Sequence, residues 1–357
     1  MVFPISADTG AVLNRQDGSQ VENILSQRVG VRRKMAPMSQ HILVTGGAGF
    51  IGSHLVERLL ADGKSVAVID DCSTGSWENL LTVRENPRLK VVQSKVSKCA
   101  ELREWVKNSE SIYHLAAAVG VDLVLKSGIE TIKTNLDETE SILEMAGEFG
   151  VPLLLASTSE VYGKSSKPGF SEDDDLLIGP PHLSRWSYAC SKLMDEFLAL
   201  AYAKEKKLPV IIARLFNTVG PRQTGRYGMV LPRFIAAAKR GEPLRVFGDG
   251  KQSRCFCYVQ DTVEALVRLQ NCATARGEVF NIGGVEEITI SELAKTIVQT
   301  LESSSPIEFI EYDKAYAPGF EDMLRRKPIV AKLERHTGFQ PQTSLEKIIE
   351  MTAASVK

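Results

Sequence analysis

Two short stretches hold side chains able to act on one substrate: Ser157-Thr158-Ser159-Glu160-Val161-Tyr162-Gly163 and Tyr188-Ala189-Cys190-Ser191-Lys192. Tyr188 and Lys192 are four apart, so on a helix they share one face and reach one pocket. A free phenol titrates near pH ~10 and is no base at neutral pH without help. An ammonium beside it favours phenolate, and each unit of downward shift corresponds to about 1.4 kcal/mol. Thr158 can hydrogen-bond the same substrate oxygen. An alcohol would then give its proton to Tyr188 as a hydride leaves its carbon. Glu160 is not needed for that step, so its presence implies chemistry after the oxidation.

The elements upstream say where the hydride goes. Ile42-Leu43-Val44-Thr45 reads as a buried parallel strand, followed at once by Gly46-Gly47-Ala48-Gly49-Phe50-Ile51-Gly52 and a stretch of helical periodicity. Strand, glycine turn and helix are the setting a dinucleotide fingerprint requires. Glycines allow a tight turn and let a pyrophosphate sit on the helix N-terminus, where unpaired N–H groups and the dipole favour anions. Gly46, Gly49, Phe50, Ile51 and Gly52 are therefore expected at the cofactor. The next strand ends in Asp70. A carboxylate there accepts from the ribose hydroxyls and repels a 2′-phosphate, which predicts NAD rather than NADP.

Beyond the fingerprint the pattern alternates. Strands are predicted at 41–45, 65–70, 89–93, 111–115, 152–157 and 209–214, with helices near 50–62, 99–108, 128–149 and 185–207. That spacing predicts a Rossmann-type α/β fold, a doubly wound parallel sheet over 39–217. From 218 to 357 short helices (229–240, 260–271, 291–302) alternate with small strands (244–247, 278–282, 307–311). This predicts a smaller C-terminal α/β substrate domain, with part of 254–282 passing back against the sheet. Residues 1–38 lack a hydrophobic period long enough for a core helix and carry the basic patch Arg32-Arg33-Lys34. They are expected to form a flexible extension. Ligands of open α/β sheets sit outside the carboxyl ends of the strands, where both the glycine turn and Thr158 fall.

Composition narrows the classes. With 43 basic and 44 acidic residues, no global field argues for nucleic acid or a membrane surface. No apolar run is long enough for a transmembrane helix, and the N-terminus lacks a signal core. The 6 cysteines form no C-x-x-C pair and suit reduced thiols in a cytoplasmic enzyme. The 5 histidines are scattered, so no metal site is expected.

The quoted residues resemble the extended short-chain dehydrogenase/reductase family that acts on nucleotide sugars, from roughly Ser39 to Ile349. Within it the sequence is most similar to the UDP-glucuronate decarboxylases. The similarity lies in Leu155 to Gly163, Ser184-Arg185-Trp186-Ser187-Tyr188, Arg214-Leu215-Phe216-Asn217-Thr218-Val219-Gly220-Pro221-Arg222, and Gly319 to Pro328. The resemblance implies NAD as cofactor, with Ala116, Tyr188 and Lys192 beside the glycine turn, and a UDP-sugar as substrate. It implies that Asn217, Arg222 and Arg254 meet the diphosphate, that Phe247 stacks on the uracil, and that Arg185 reaches the substrate carboxylate or pairs with an acid. It places Lys95 where the family usually has an Asp against adenine. The apolar stripes of helices 128–149 and 185–207, such as Leu193, Phe197, Leu200 and Ala201, are expected to form a homodimer interface or internal packing.

The resemblance also gives Glu160 a task. Oxidation of a hexuronic acid at C4 makes a ketone β to the C6 carboxylate, which loses carbon dioxide readily. Residues matching Glu160 and Arg326 are tied to decarboxylation and to protonation at C5. Hydride return then gives UDP-xylose; release before return gives a UDP-4-keto-pentose. Ser159 stands where related dehydratases place an Asp as acid, and a serine hydroxyl is a poor acid for expelling a hydroxyl group. A UDP-glucuronate 4-epimerase is the alternative, and a redox-inactive dinucleotide sensor the alternative from another class. Intact Thr158, Tyr188 and Lys192 argue against the sensor.

Overall fold

Short β-branched runs and helical stretches alternate because each strand must return through a covering helix before a parallel neighbour can pair with it. The computed structural model describes residues 40–118, 127–223, 229–311 and 323–356. The extension 1–38, the 224–228 part of the loop after Gly220, and the Gly319–Asp322 end of the last matching stretch lie outside the described residues. Ser39–Lys357 form one compact unit.

The first half runs β1 (His41–Thr45), α1 (Phe50–Ala61), β2 (Val66–Asp70), β3 (Leu89–Gln93), α2 (Leu102–Lys107), β4 (Ser109–His114), α3 (Gly128–Phe149), β5 (Leu153–Thr158), α4 (Trp186–Lys206) and β6 (Val210–Leu215). The second half runs β7 (Thr218–Val219), α5 (Val230–Arg240), β8 (Leu244–Phe247), β9 (Ser253–Cys255), β10 (Cys257–Tyr258), α6 (Val259–Gln270) and β11 (Glu278–Ile282). It ends with β12 (Glu287–Thr289), α7 (Ile290–Thr300), β13 (Ile307–Ile310), β14 (Arg325–Arg326), α8 (Ala331–Thr337) and α9 (Leu345–Ser355).

Among the described residues the main sheet has seven strands in the order β3-β2-β1-β4-β5-β6-β11, each neighbouring pair parallel. Every residue of β1 and β2 is buried, as expected where helices cover both faces. Strand order reverses between β1 and β4, so the crevice at their carboxyl ends is the ligand position. The 278–282 segment, predicted as a small strand, is the seventh strand of this sheet, in register from Glu278 opposite Ile211 to Ile282 opposite Leu215. Val263 and Leu266 of α6 join Val44, Leu55 and Val56 in its core.

A second core gathers Leu231 and Phe234 of α5, Val246 of β8, Leu293 and Ile297 of α7 and Ile348 of α9. Around it β8 pairs with β13, and β9 lies between antiparallel β12 and parallel β14. A third cluster, Val161, Tyr162, Phe170, Trp186, Phe216 and Met323, lies under the turn after β5. Phe170 clamps the chain after β14: its N–H donates to the Lys327 carbonyl and its carbonyl accepts from Ile329 N, both at 2.8 Å. Arg326 is thereby fixed over the strand ends.

Candidate active site

The glycine turn is shaped by what a side chain would strike. Gly46 has φ +71, and a Cβ there would lie 2.7 Å from Ala116 N. At Gly52 a Cβ would sit 2.0 Å from the Gly46 carbonyl oxygen, so α1 could not approach the turn. Gly49 precedes α1 with no side-chain cap, which leaves amides at the helix start for an anion. Phe50 and Ile51 open the helix. Asp70 closes the far side: Oδ2 accepts from Ala48 N and Oδ1 from Cys72 N, each at 2.8 Å. Burial raises the Asp70 pKa, against the pull of these amides. On the β4 side Ala116 N donates to Thr45 Oγ1 at 3.3 Å. A cradle closed to Cβ atoms, an uncapped helix start and a carboxylate at the end of β2 fit a dinucleotide.

The groups expected to react stand at the end of β5. Thr158 Oγ1 accepts from Glu160 N at 3.2 Å and caps a single 3-10 turn, Ser159–Tyr162. Gly163 then reverses the chain with φ +60, where a Cβ would meet the Leu177 carbonyl oxygen at 2.3 Å. This turn buries Ser159 and brings Glu160 back across the strand ends. Glu160 Oε1 accepts from Arg326 Nη2 at 3.0 Å, and Arg185 Nη2 lies 3.7 Å from the same oxygen. Tyr188, in the first turn of α4, is hydrogen-bonded to Thr158.

The electrostatics of Tyr188 differ from the expectation drawn from Lys192. Burial first, then the charge of Glu160, push the phenol upward; Thr158 and Arg326 oppose them. Lys192 is itself engaged: its Nζ donates to Asp195 Oδ2 at 2.8 Å, and both side chains are buried. The ammonium is paired before any substrate arrives.

Residues expected at the nucleotide end are more dispersed. Asn217 Nδ2 donates to the Cys255 carbonyl at 3.2 Å, tying β6's end to β9. Arg254 is buried, stands opposite Arg326 in the β9–β14 pair, and donates from Nη1 to the Ser253 carbonyl at 2.8 Å. Arg222 turns to α1, donating to Ser53 Oγ at 3.1 Å and Glu57 Oε1 at 2.6 Å. Phe247 is half-buried, with the Arg233 guanidinium 4.9 Å from its ring centre. Lys95, in the place of the family's adenine-side Asp, pairs with Glu130 at 2.8 Å. Arg325 forms an exposed fork with Glu287, apart from its neighbour Arg326.

Sequence reasoning missed the buried polar frame behind the site. Arg214 donates from Nε and Nη2 to Glu196, at 3.0 and 2.7 Å, and from Nη1 to the Tyr162 hydroxyl at 3.0 Å. Ser157 donates to the same Glu196, and Tyr162 donates to Asn281 Oδ1 at 2.7 Å. The residue before Thr158 is thus tied to α4, β6 and β11. On the cofactor side His114 Nδ1 and Thr45 Oγ1 are 2.7 Å apart. One signal was visible: the adjacent acids Asp195 and Glu196 interrupt the apolar face of α4, and a helix with unpaired acids in its core would not fold.

Comparison with known proteins agrees with this geometry. The family model described as GDP-mannose 4,6 dehydratase matches residues 43–352. The chain is 42% identical over 316 residues to a UDP-N-acetyl-alpha-D-glucosaminuronate decarboxylase of Bacillus cytotoxicus, covering 88% of this chain and 97% of that protein. It is 37% identical over 323 residues to UDP-glucuronic acid decarboxylase 4 of Arabidopsis thaliana, covering 89% of this chain and 68% of the relative. Among solved structures, the UDP-glucuronic acid 4-epimerase of Bacillus cereus in complex with UDP-glucuronic acid and NAD superposes with a TM-score of 0.80. That match has 29% identity and covers 89% of this chain and 99% of the other.

Proposed function

Because the chain belongs to the GDP-mannose 4,6 dehydratase family of extended short-chain dehydrogenases/reductases, we propose that it is an NAD-dependent decarboxylase of UDP-glucuronic acid. It works through a 4-keto intermediate to UDP-xylose or a UDP-4-keto-pentose. The observation that carries this reading is Glu160 held between Arg326 and Arg185 beside Tyr188 and Thr158. Oxidation alone needs no such cluster.

NAD, which the Gly46–Gly52 turn and Asp70 would hold, would supply the hydride acceptor and later the hydride donor. Tyr188 takes the proton of the C4 hydroxyl while Thr158 holds its oxygen. At the resulting β-keto acid the C5–C6 bond breaks, and its electron pair passes into an enolate whose oxygen replaces the C4 hydroxyl. Tyr188 and Thr158 are donors preorganised where that charge develops. Arg326, Arg185 and Glu160 together carry one net positive charge. That suffices to seat a carboxylate, while Glu160 prevents two guanidinia from overstabilising a group that must leave neutral. Glu160 or Arg326 then directs a proton to C5. Asn217, Arg222 and Arg254 serve the diphosphate and Phe247 the uracil. For Arg222 this requires release from Glu57. Ser159 supports the turn rather than acting as an acid.

The 4-epimerase reading is weaker, because an epimerase must turn its ketone over without touching the carboxylate. A second substrate, the 2-acetamido analogue UDP-N-acetylglucosaminuronate, is favoured by the 42% identity to a decarboxylase so named. Carbon dioxide release from each nucleotide sugar with NAD tests both. Faster release from UDP-glucuronate supports the main reading, and release from the analogue alone replaces it.

Among the described residues no helix is long and apolar enough to cross a membrane. The reading places the enzyme in the cytoplasm, as a homodimer through α3 and α4. It is supported by Ile129 and Ile132 of α3 and Met194 and Phe197 of α4, large apolar side chains left exposed. Phe197→Glu should yield a monomer on size-exclusion chromatography, whereas a wild type that elutes as a monomer refutes the dimer. The lobe from 218 onward, apart from the α6–β11 return, is read as the substrate domain, and 1–38 as a dispensable extension.

A further inference from the structure

Behind the catalytic pair α4 carries a carboxylate for which the reaction as described has no use. Asp195 lies three residues after Lys192, on the same helix face, and accepts from its Nζ at 2.8 Å. The side chains are 2% and 0% exposed. The Thr139 hydroxyl of α3 also hydrogen-bonds this carboxylate. A buried acid is costly to desolvate, and apolar packing of similar volume is often as stable as a buried ion pair. Stability is therefore a poor account of Asp195.

Its surroundings point to the reacting groups instead. The charged and titratable groups acting on the pair are His114 from β4 and Glu196 from α4, while Glu160 from the turn after β5 and Arg326 from β14 act with Asp195 on Tyr188. Burial, aided by the charge of Lys192, pushes His114 down to about 3, so it adds no charge at neutral pH. Glu196 is engaged by Arg214, and Glu160 by Arg326. The Lys192 ammonium is therefore answered chiefly by Asp195.

We propose that Asp195 is a positioning residue that holds the Lys192 ammonium behind Tyr188 and so sets the pH above which Tyr188 serves as the base. The proposal rests on the reading of Tyr188 as the group that takes the C4 proton. The charge of Asp195 acts in two ways. It cancels much of the ammonium's field, and it directly opposes ionisation of the phenol. Asp195→Asn keeps the shape and an acceptor for Lys192 while removing the charge. The acid limb of the oxidation step should then move to lower pH by about 1 unit, the lower end of what one close charge does.

The test uses the full-length enzyme with NAD and UDP-glucuronate. NADH formation in a single turnover is followed against pH for wild type, Asp195→Asn and Asp195→Glu. Asp195→Ser, smaller and also uncharged, replaces the Asn variant if that one does not fold. In parallel, NAD affinity is measured by calorimetry for Asp195→Asn, Lys192→Met and the double variant. The acid limb should move down in the uncharged variants and return in Asp195→Glu. The double variant should bind NAD no worse than Lys192→Met, because Asp195 acts through the lysine. A rate lowered equally at every pH with an unmoved limb would reduce Asp195 to packing, and additive affinity losses would uncouple it from Lys192. A wild type inert towards UDP-glucuronate would instead sink the functional reading, while the affinity cycle still decides whether Asp195 acts through Lys192.

Discussion

Arg326→Ala should separate oxidation from loss of the carboxylate. The change removes the guanidinium that donates to Glu160 at 3.0 Å, leaving Arg185 at 3.7 Å. Thr158 and Tyr188 keep their contact, so abstraction at C4 persists, slowed because the Arg326 charge no longer opposes the upward push on Tyr188. Directed proton delivery contributes typically about 10²–10⁴-fold, which corresponds to ~3–5 kcal/mol of barrier. An exposed ion pair would account for only about 0–1 kcal/mol, roughly a fivefold change at most. Arg326 and Glu160 are 12% and 14% exposed, so the pair is shielded enough for the larger figure to apply. Carbon dioxide release under steady turnover and NADH formation in a single turnover should be measured side by side, with Glu160→Gln as companion. We expect carbon dioxide release to fall at least a hundredfold while NADH still forms. Release within about fivefold of wild type, or NADH formation lost to the same degree, would refute the roles given to both residues.

Four further outcomes follow from the same geometry. Tyr188→Phe should abolish NADH formation, since Thr158 alone cannot take the C4 proton; normal accumulation in a single turnover would remove Tyr188 from the mechanism. Asp70→Ala should weaken NAD and relax rejection of NADP, and equally tight binding of both by wild type, measured by calorimetry, would contradict the ribose assignment. Arg214→Ala leaves Glu196 buried and unanswered, at a cost of about 3–5 kcal/mol in urea unfolding; a loss under about 1 kcal/mol would show that the frame behind Thr158 is loose. His114 is held near 3 against 6.5 when unfolded, so the unfolded chain binds the extra proton and stability falls as pH drops through 6.5. Between pH 6.5 and 5 wild type should lose about 2 kcal/mol more than His114→Gln, and parallel losses would mean that His114 is not buried neutral.

Much of the fold was legible because its signals are local. β1, the glycine turn and α1 are consecutive, and nothing but glycine fits at Gly46 or Gly52. The candidate groups are close in sequence for the same reason: Thr158 and Glu160 share one turn, and Tyr188 and Lys192 one helix face. What escaped was set by long-range pairing. β14 is two residues long and exists only through its partner β9, so its position over the strand ends left no periodic trace. For 278–282 the sequence predicted a return against the sheet, and what it did not show was the parallel register with β6 that makes this segment the seventh strand. Arg222 occupies a matching motif, yet a positive φ of 70° and the nearby Glu57 draw it to α1. The upward push on Tyr188 was not legible because burial and then the Glu160 charge set it, and both exist only once the chain is folded; the Asp195 charge adds to them.

In the proposed reaction the chain oxidises C4, releases C6 as carbon dioxide and protonates C5. Product analysis in deuterium oxide puts this to the test, using UDP-glucuronate carrying a label at C6 with NAD in at least equal amount. Labelled carbon dioxide equal in amount to the substrate consumed is expected, with a UDP-pentose in xylose or 4-keto form carrying solvent deuterium at C5. UDP-galacturonate that retains the C6 label would contradict it.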